Sequence, residues 1–355
     1  MSTIKKFLNL IFIDGLSGMA LGLFSTLIIG TILKQAADLI GGDFGYYLGV
    51  FAVMAQRLTG AGIGIGVAYK YKSSTYVTLS AAAAGMIGAY ATAIISGSIL
   101  SDGALVYSGP GDPLSAFIAA LAGIAVGSLP AGKTKLDLLI TPAVTIIAGG
   151  AVGIIVGPPV STIMTRLGDI INWGTVQQPL IMGIVVSVIM GMVLTLPISS
   201  AALGIILGLS GPAAGAATIG CCCQMIGFAV ASFRENGVGG LLAQGIGTSM
   251  LQVPNIIRHP QIWIPEILSS AILGANCHQP FCWHANNATG SGMGTSGLVG
   301  QIMTWQTMTA VESSVLVLIK IFLFHFILPG LLTLVFSEAM RKKNWIKSGD
   351  MKLSI

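Results

Sequence analysis

Charged side chains are scarce in this chain and make up only 8% of its 355 residues. A soluble globular domain carries about a quarter charged residues, so the sequence excludes that class. Hydrophobic residues account for 54%, and the 48 glycines suit membrane helices that approach closely through small side chains. The composition therefore predicts an all-α polytopic membrane protein with about ten transmembrane helices.

Other features are also missing. Lys5 and Lys6 precede a hydrophobic run longer than that of a signal peptide, and no small-residue cleavage site follows it. The net charge of +5 is dispersed, which argues against nucleic-acid binding. Cysteine is limited to five residues, three of them consecutive at 221–223. Neighbours on a helix point about 100° apart, so this trio predicts small packing residues rather than a metal cage or a disulfide frame.

Basic residues set the predicted orientation. They fall at alternate ends of the hydrophobic segments, at Lys5/Lys6, Lys70/Lys72, Lys133/Lys135 and Arg341/Lys342/Lys343. The segment 96–112 contains aspartates and no base, so the positive-inside rule predicts that both termini are cytoplasmic and that this loop is outside. Five spans of about 20 residues are predicted first, at 15–36, 44–67, 75–97, 114–130 and 137–157.

The second predicted span contains four alternating glycines and one charge. Gly60, Gly62, Gly64 and Gly66 predict close helix packing rather than a phosphate loop. Arg57 lies about midway along the span, where an unpaired charge costs roughly 3 kcal/mol or more. Because buried charges are usually paired, a structural ion pair is the favoured interpretation, and an anchor for an anionic group is the alternative. Asp14, near the start of the first span, is either the partner of Arg57 or an interfacial residue.

A linker is predicted in the middle of the chain. Pro158-Pro159 is expected to end the fifth span, and the pattern from 160 to 177 is amphipathic. Such a helix lies on the membrane surface or joins two halves. The sequence therefore predicts a first half at 1–157, a linker at 158–178 and a second half at 179–355.

The second half is interrupted repeatedly. Its apolar runs are predicted at Leu180 to Leu196, Ala201 to Leu209, Ala213 to Phe233, Val238 to Ile257, Ile267 to Gly274 and Val315 to Phe336. Breaks fall at 197–200 and 210–212, and a polar, glycine-rich stretch covers 277–297. Irregular backbone at membrane depth survives only where it is buried or lines a wet cavity, and transporters place substrates at such broken helices. We therefore expect re-entrant hairpins here.

The polar stretch offers uncharged donors and acceptors, as recognition of a neutral polyol requires. They are Asn286, Asn287, Thr289, Ser291 and Thr295, with Phe281 and Trp283 able to stack on a sugar face. The alternative is that these side chains satisfy only the backbone of their own loop. The sequence leaves both interpretations open.

Two thiols and two imidazoles also lie in this stretch. Cys277, His278, Cys282 and His284 are ligand types that zinc prefers, but their crowded spacing favours no metal site. Hydrogen bonding of His278 or His284 to a solute is the more modest expectation. Gly292-x-Gly294-x-x-Gly297 matches a dinucleotide fingerprint without a preceding strand, so no cofactor is predicted.

Three motifs resemble a known family. They are Leu194-Thr-Leu-Pro-Ile-Ser-Ser-Ala-Ala-Leu203, Gly247-Thr-Ser-Met-Leu-Gln-Val-Pro-Asn255 and Gly292-Met-Gly-Thr-Ser-Gly-Leu-Val-Gly-Gln301. These resemble the membrane IIC components of the bacterial phosphotransferase system, and the closest branch is the stand-alone group that includes perfringolysin regulators. The resemblance covers nearly the whole chain. It implies a homodimer in the bacterial inner membrane, with a dimerising first half and a sugar-binding second half.

The chain departs from the sugar-phosphorylating pattern. Family members place a histidine after the glycine of the sixth span and a glutamate in a re-entrant loop. Here the matching run at 196–200 has no histidine, and the loop at 274–297 has no carboxylate. A IIB domain is also missing, so phosphotransferase activity requires separate IIA and IIB proteins. No catalytic residue is predicted.

The sequence thus predicts a permease that binds and translocates a small polar solute, a sugar or polyol, by alternating access. The predicted binding residues are His278, His284, Asn286, Asn287, Thr289, Ser291, Thr295, Ser199, Ser200, Ser210, Gln224 and Arg57. Two alternatives stay open. One is a membrane sensor with a vestigial sugar pocket, and the other is a carrier of a lipid-like substrate.

Overall fold

The computed structural model describes residues 10–101, 103–175, 177–198, 200–277, 279 and 283–353. The chain divides into two compact units, of which the first ends at Ile163 and the second begins at Met164. One helix crosses this boundary, and all other described helices belong to one unit or the other.

The first unit is helical apart from one small hairpin. Its α-helices are α1 (Leu16–Leu23), α2 (Ile29–Ile40), α3 (Gly42–Arg57), α4 (Thr59–Lys70), α5 (Thr75–Ala89), α6 (Ala91–Ile95) and α7 (Pro113–Gly127). Two π-helical turns, Leu10–Gly15 and Phe24–Ile28, flank α1. An exposed antiparallel pair, β1 (Leu100–Ser101) and β2 (Ala104–Leu105), lies in the loop predicted to be outside. The helix α8 (Asp137–Thr175) then leads into the second unit.

The second unit consists of shorter and more broken helices. They are α9 (Pro179–Thr195), α10 (Ser200–Ile206), α11 (Gly211–Ala231), α12 (Phe233–Leu242), α13 (Val253–Arg258), α14 (Ile264–Asn276), α15 (Ala288–Ser291), α16 (Val299–Met308), α17 (Ser314–Ile321) and α18 (Leu328–Lys342). Short 3₁₀ or π segments lie at Ala243–Gly247, Ser249–Gln252, Pro260–Trp263, Ser296–Leu298 and Phe322–Ile327. The predicted breaks at 197–200 and 210–212 separate α9, α10 and α11.

The chain is an all-α polytopic membrane protein, as its composition predicts. Among the described residues, 4 helices are long and apolar enough to cross a membrane: Leu16–Asp38, Asp137–Val160, Gly211–Ala231 and Ser314–Lys342. A fifth span forms if α3 and α4, which meet at a bend of 55°, count as one. Three shorter apolar helices, α5, α7 and α9, add to these, while the predicted total of about ten stays a prediction.

The helix that contains the fifth span continues past Pro158-Pro159, although its apolar membrane-spanning stretch ends close to these prolines, at Val160. Helix α8 runs for 39 residues and contains Pro142, Pro158 and Pro159 inside it. Proline removes one backbone hydrogen bond, but membrane helices tolerate it where other groups or local adjustments satisfy the freed carbonyl. The predicted linker segment therefore follows the span within the same helix, and its role as a linker between two halves stays a prediction.

The alternating glycines of α4 are packing positions, as predicted. A Cβ atom added to Gly62 or Gly66 would lie 3.0 Å or 2.2 Å from a backbone oxygen of α1. A Cβ atom on Gly60 or Gly64 would lie 2.7 Å or 2.0 Å from a backbone oxygen of α5. Helix α4 therefore packs with its backbone directly against two neighbouring helices, one on each side.

Helix α11 is the centre of the second unit, because 83% of its most apolar stretch is buried inside the protein. It packs against α9, α14 and α18. A Cβ atom on Gly220 would lie 1.9 Å from the carbonyl oxygen of Ser187 in α9, and one on Gly183 would lie 2.1 Å from that of Gly274 in α14. Because these glycines have no side chain, the backbone of α9 lies in direct contact with the backbones of α11 and α14.

We expect Gly220→Ala to destabilise the protein, because the new methyl group forces α9 and α11 apart. Overpacking of this kind costs about 1–3 kcal/mol. The control is Gly239→Ala in α12, where no heavy atom lies within 4 Å of the added Cβ. Thermal unfolding in detergent should show a lower midpoint for the Gly220 variant only, and equal midpoints would contradict this packing.

Candidate functional site

The three motifs come together in the second unit although they are far apart in sequence. Ser200 Oγ of the first motif donates to the carbonyl oxygen of Gly292 in the third at 2.6 Å. Thr195 Oγ and Ser249 Oγ, from the first and second motifs, lie 2.8 Å apart. Thr295 Oγ1 of the third motif donates to the carbonyl of Gly245, just before the second. The motifs therefore define one polar region beside α11.

The polar segment that follows α14 folds back inside this unit. The backbone N–H of Asn286 donates to the carbonyl of Gly211 at 3.2 Å, at the first residue of α11. Asn286 Nδ2 lies 2.8 Å from Thr218 Oγ1, 3.1 Å from the carbonyl of Gly300 and 2.9 Å from Thr304 Oγ1. Its side chain is buried and joins the loop to α11 and α16. Asn286 thus has a structural role in this conformation.

The neighbouring residues of the loop also bond within it. Asn287 Oδ1 accepts from the N–H of Gly290 at 2.9 Å and caps α15. Ser291 Oγ donates to the carbonyl of Ala288 at 2.8 Å. Thr289 is exposed. In this conformation most of these side chains bond to other groups of the protein, inside the loop for Asn287 and Ser291 and outside it for Asn286.

A buried lysine holds the start of this loop. Lys320 Nζ of α17 donates to Glu312 Oε1 at 2.7 Å and to the carbonyl of Trp283 at 3.3 Å. The same ammonium lies 5.9 Å from the centre of the Trp283 ring. A cation over an aromatic face is attractive, especially where both are desolvated. Trp283 is therefore held by Lys320 in this conformation, and sequence analysis missed the lysine.

His284 lies in a buried aromatic cluster. Its ring centre is 4.8 Å from that of Phe324 and 5.3 Å from that of His325. Gln301 Nε2 and His325 Nδ1 are 3.0 Å apart, and His325 Nε2 has no hydrogen-bond partner among the described residues. His278, Cys282 and Phe281, predicted beside His284, lie outside the described residues, as does Ser199.

A second polar cluster surrounds Gln224 on another face of α11. Gln224 Oε1 accepts hydrogen bonds from Trp263 Nε1 at 2.7 Å and from Thr195 Oγ1 at 3.2 Å. Its Nε2 atom is buried and has no partner within the described part of the chain. Trp263 is only partly buried. Sequence analysis named Gln224 but missed Trp263, whose contact spans 39 residues.

The remaining predicted residues lie elsewhere. Ser210 is exposed at the start of α11 and makes no capping hydrogen bond with its side chain. Arg57 belongs to the first unit, where it lines a cavity of about 610 Å³ together with Lys34, Asp38 and Tyr46. The described residues place no carboxylate within ion-pair distance of Arg57, so the favoured interpretation as a structural ion pair is wrong.

The comparisons with known proteins now assign the class. A family model described as the phosphotransferase system EIIC matches residues 13–353. The chain therefore belongs to the phosphotransferase system EIIC family, the sugar-transporting membrane components. Neither the curated proteins nor the solved structures contain a significant match to it. Membership in the branch of perfringolysin regulators stays a prediction.

We expect Asn286→Ala to lower the free energy of unfolding by about 2–3 kcal/mol. The substitution removes an amide that binds three oxygens, and each buried group left unpaired costs about 1–3 kcal/mol. Denaturation in detergent, followed by tryptophan fluorescence, measures the difference. The matched control is Thr289→Ala in the exposed part of the same loop, which should keep the wild-type stability. A stable Asn286 variant would return this residue to the list of solute ligands.

Proposed function

We propose that this EIIC protein binds a small neutral sugar or polyol beside Gln224 and Trp263 and translocates it by alternating access. The observation that carries this proposal is that the first and second motifs meet beside Gln224, through Thr195 and Ser249, and that the Nε2 atom of Gln224 is buried without a described partner. A buried donor without a partner costs about 1–3 kcal/mol, and a hydroxyl of the solute would remove that cost.

The chemistry of this cluster suits a sugar. Ligand sites are concave and largely apolar, with a few placed polar groups that fix orientation. The Gln224 amide donates to a hydroxyl oxygen, while the Trp263 ring offers an apolar face with a polar edge. Both side chains that hydrogen-bond to Gln224, Thr195 and Trp263, are uncharged, which favours an uncharged solute.

The loop residues have supporting roles in this proposal. Ser200 and Thr295 join the third motif to α10 and to the carbonyl of Gly245. Asn286 joins the loop to α11, while Ser291 and Asn287 bond within the short helix α15. Thr289 and the His284 cluster are proposed to contact the solute at other stages of the transport cycle. A conformational change that separates the motifs would release these hydrogen bonds together, as alternating access requires.

The setting is also part of the proposal. The family and the basic residues suggest a homodimer in the bacterial inner membrane with both termini in the cytoplasm. Phosphorylation of the solute would need separate IIA and IIB proteins, because a phosphoryl donor must reach the solute from outside this chain. The Arg57 cavity, lined by exposed hydrophobic residues, is proposed to hold a lipid rather than the solute.

Trp263→Phe and Gln224→Ala should each weaken sugar binding by about tenfold or more, since a lost hydrogen bond and its unpaired partner together exceed 1.4 kcal/mol. Equilibrium binding of radiolabelled hexoses and disaccharides to the purified protein measures this. The control is Trp345→Phe, at an exposed tryptophan of the same unit. Unchanged affinity in both cluster variants would refute this location of the site.

A second candidate function is a sensor, and the docked C-terminal tail favours it. Gln252 and Asn255 of the second motif donate to the carbonyls of Met351 and Lys352, each at 3.0 Å. Asn236 Nδ2 donates to the Met351 carbonyl at 2.9 Å, and Asn236 Oδ1 accepts from the N–H of Leu353 at 2.8 Å. The motif that borders Gln224 through Ser249 thus also holds the tail.

If the protein is a sensor, sugar binding should change amide exchange in the tail. Asn236→Ala removes two tail contacts and should speed exchange of the Leu353 N–H, which Asn236 accepts, by about tenfold, while Asn276→Ala, at an exposed residue of α14, should not. Hydrogen–deuterium exchange with mass spectrometry, with and without sugar, measures both effects. If amide exchange in the tail is the same with and without sugar, the sensor function is excluded.

A further inference from the structure

One acidic side chain in the second unit is buried without compensation. Glu266 lies in the first turn of α14, and its residue is fully buried. Neither carboxyl oxygen has a hydrogen-bond partner, and no cation lies within ion-pair distance of it, among the described residues. Ionisable groups inside membrane helices are costly and usually mark ion or proton pathways.

The surroundings of Glu266 are small and uncharged. The side chains of Glu266 and of Thr333 in α18 both pack against Gly227 in α11. A Cβ atom added to Gly227 would lie 3.1 Å from Glu266 Cγ and 2.8 Å from Thr333 Oγ1. Thr333 Oγ1 donates to Ser269 Oγ at 3.0 Å. Ser337, one turn further along α18, is buried with a hydroxyl that has no described partner. The hydroxyl of Thr333, with no group of metal ligands among the described residues, suits a neutral carboxyl group better than a bound cation.

The titratable groups on the elements that pack against α14 are few. Helix α9 has none, and the 3₁₀ turn Pro260–Trp263 has none. Helix α11 contributes the buried thiols 221–223, of which Cys223 interacts electrostatically with Glu266. On α18, Glu338 pairs with Arg234 at 2.9 Å, Arg341 pairs with Glu235 at 3.0 Å, and Lys342 is exposed. None of the basic groups neutralises Glu266.

Glu266 also adjoins the proposed sugar site. Gly227 follows Gln224 by three residues on α11, and Glu266 follows Trp263 by three residues at the start of α14. Residues three apart on a helix share a face. The Trp263–Gln224 hydrogen bond and the Glu266–Gly227 contact are therefore successive contacts between the same two segments, one turn apart. Movement of Trp263 would change the environment of the carboxyl group directly.

We propose that Glu266 is the proton-binding site of this transporter and that one proton moves with each solute. The carboxylate takes up a proton when it reaches water, crosses the buried position as a neutral carboxylic acid, and releases the proton on the other side. Solute at Trp263 and Gln224 favours the buried, protonated form, because both contacts belong to the same helix pair. This coupling rests on the proposed function, whereas the proton site itself does not.

The proton site is tested with dicyclohexylcarbodiimide, which modifies protonated carboxyl groups in apolar surroundings. The full chain in liposomes is labelled between acid and alkaline pH, and the Glu266 peptide is quantified by mass spectrometry. We expect labelling that falls by about tenfold for each pH unit above the midpoint, retention of labelling in Glu266→Asp, and loss in Glu266→Gln. The control Glu338→Gln keeps the labelling. Absent or pH-independent modification of Glu266 overturns the proposal.

Coupling is tested in the same liposomes with radiolabelled hexoses and disaccharides. With acid outside by one pH unit, the wild type should accumulate its sugar about tenfold, because one unit is a factor of ten in proton activity. Glu266→Gln should exchange the sugar but not accumulate it. Sugar exchange that ignores the gradient in the wild type overturns the coupling and leaves the proposed function intact. If no sugar exchanges at all, the proposed function fails, and the carbodiimide titration alone decides the proton site.

Discussion

The second unit depends on the close approach of other backbones to helix α11. Gly215 and Gly220 lie against the carbonyls of His284 and Ser187, so the polar loop and α9 both contact the backbone of this helix. The consecutive cysteines 221–223 are buried and meet different neighbours, which confirms their predicted role as small packing residues. Because lipid offers no polar partners, every group that α11 brings inside must be satisfied by the protein or by what the protein binds.

This constraint distinguishes residues with a structural role from residues that bind a solute or a proton. The side-chain amide of Asn286 bonds to three oxygens of the protein, so its role is to stabilise the fold. Gln224 Nε2 and the Glu266 carboxyl are equally buried but have no partner in the described chain. Unpaired buried groups are expensive, and they persist where a ligand or a proton completes them in part of the cycle. The unsatisfied groups therefore indicate function more directly than the density of polar residues in the loop.

Much of the architecture is predictable from local chemistry. Scarce charge and long apolar runs predict the membrane class, and Pro197 and Pro212 predict the breaks beside α10 and α11. The continuation of α8 through Pro158-Pro159 was not predictable, because neighbouring groups decide whether a proline ends a membrane helix. Trp263, Glu266 and Lys320 were missed for a related reason. Their importance comes from partners distant in sequence, and a lone tryptophan or glutamate near a helix start has no periodicity to mark it.

The docking of the tail has a consequence for how this unit is made. The side chains of Asn236, Gln252 and Asn255 point at carbonyls that belong to residues 351 and 352, about a hundred positions later in the chain. During synthesis, these amides cannot form their hydrogen bonds until Met351 has left the ribosome. The hydrogen bonds between the second motif and the tail therefore form after all helices of the unit have been synthesised. A bulky fusion placed directly after Leu353 would hinder docking of the tail, and the amides of Asn236, Gln252 and Asn255 would then lack these partners.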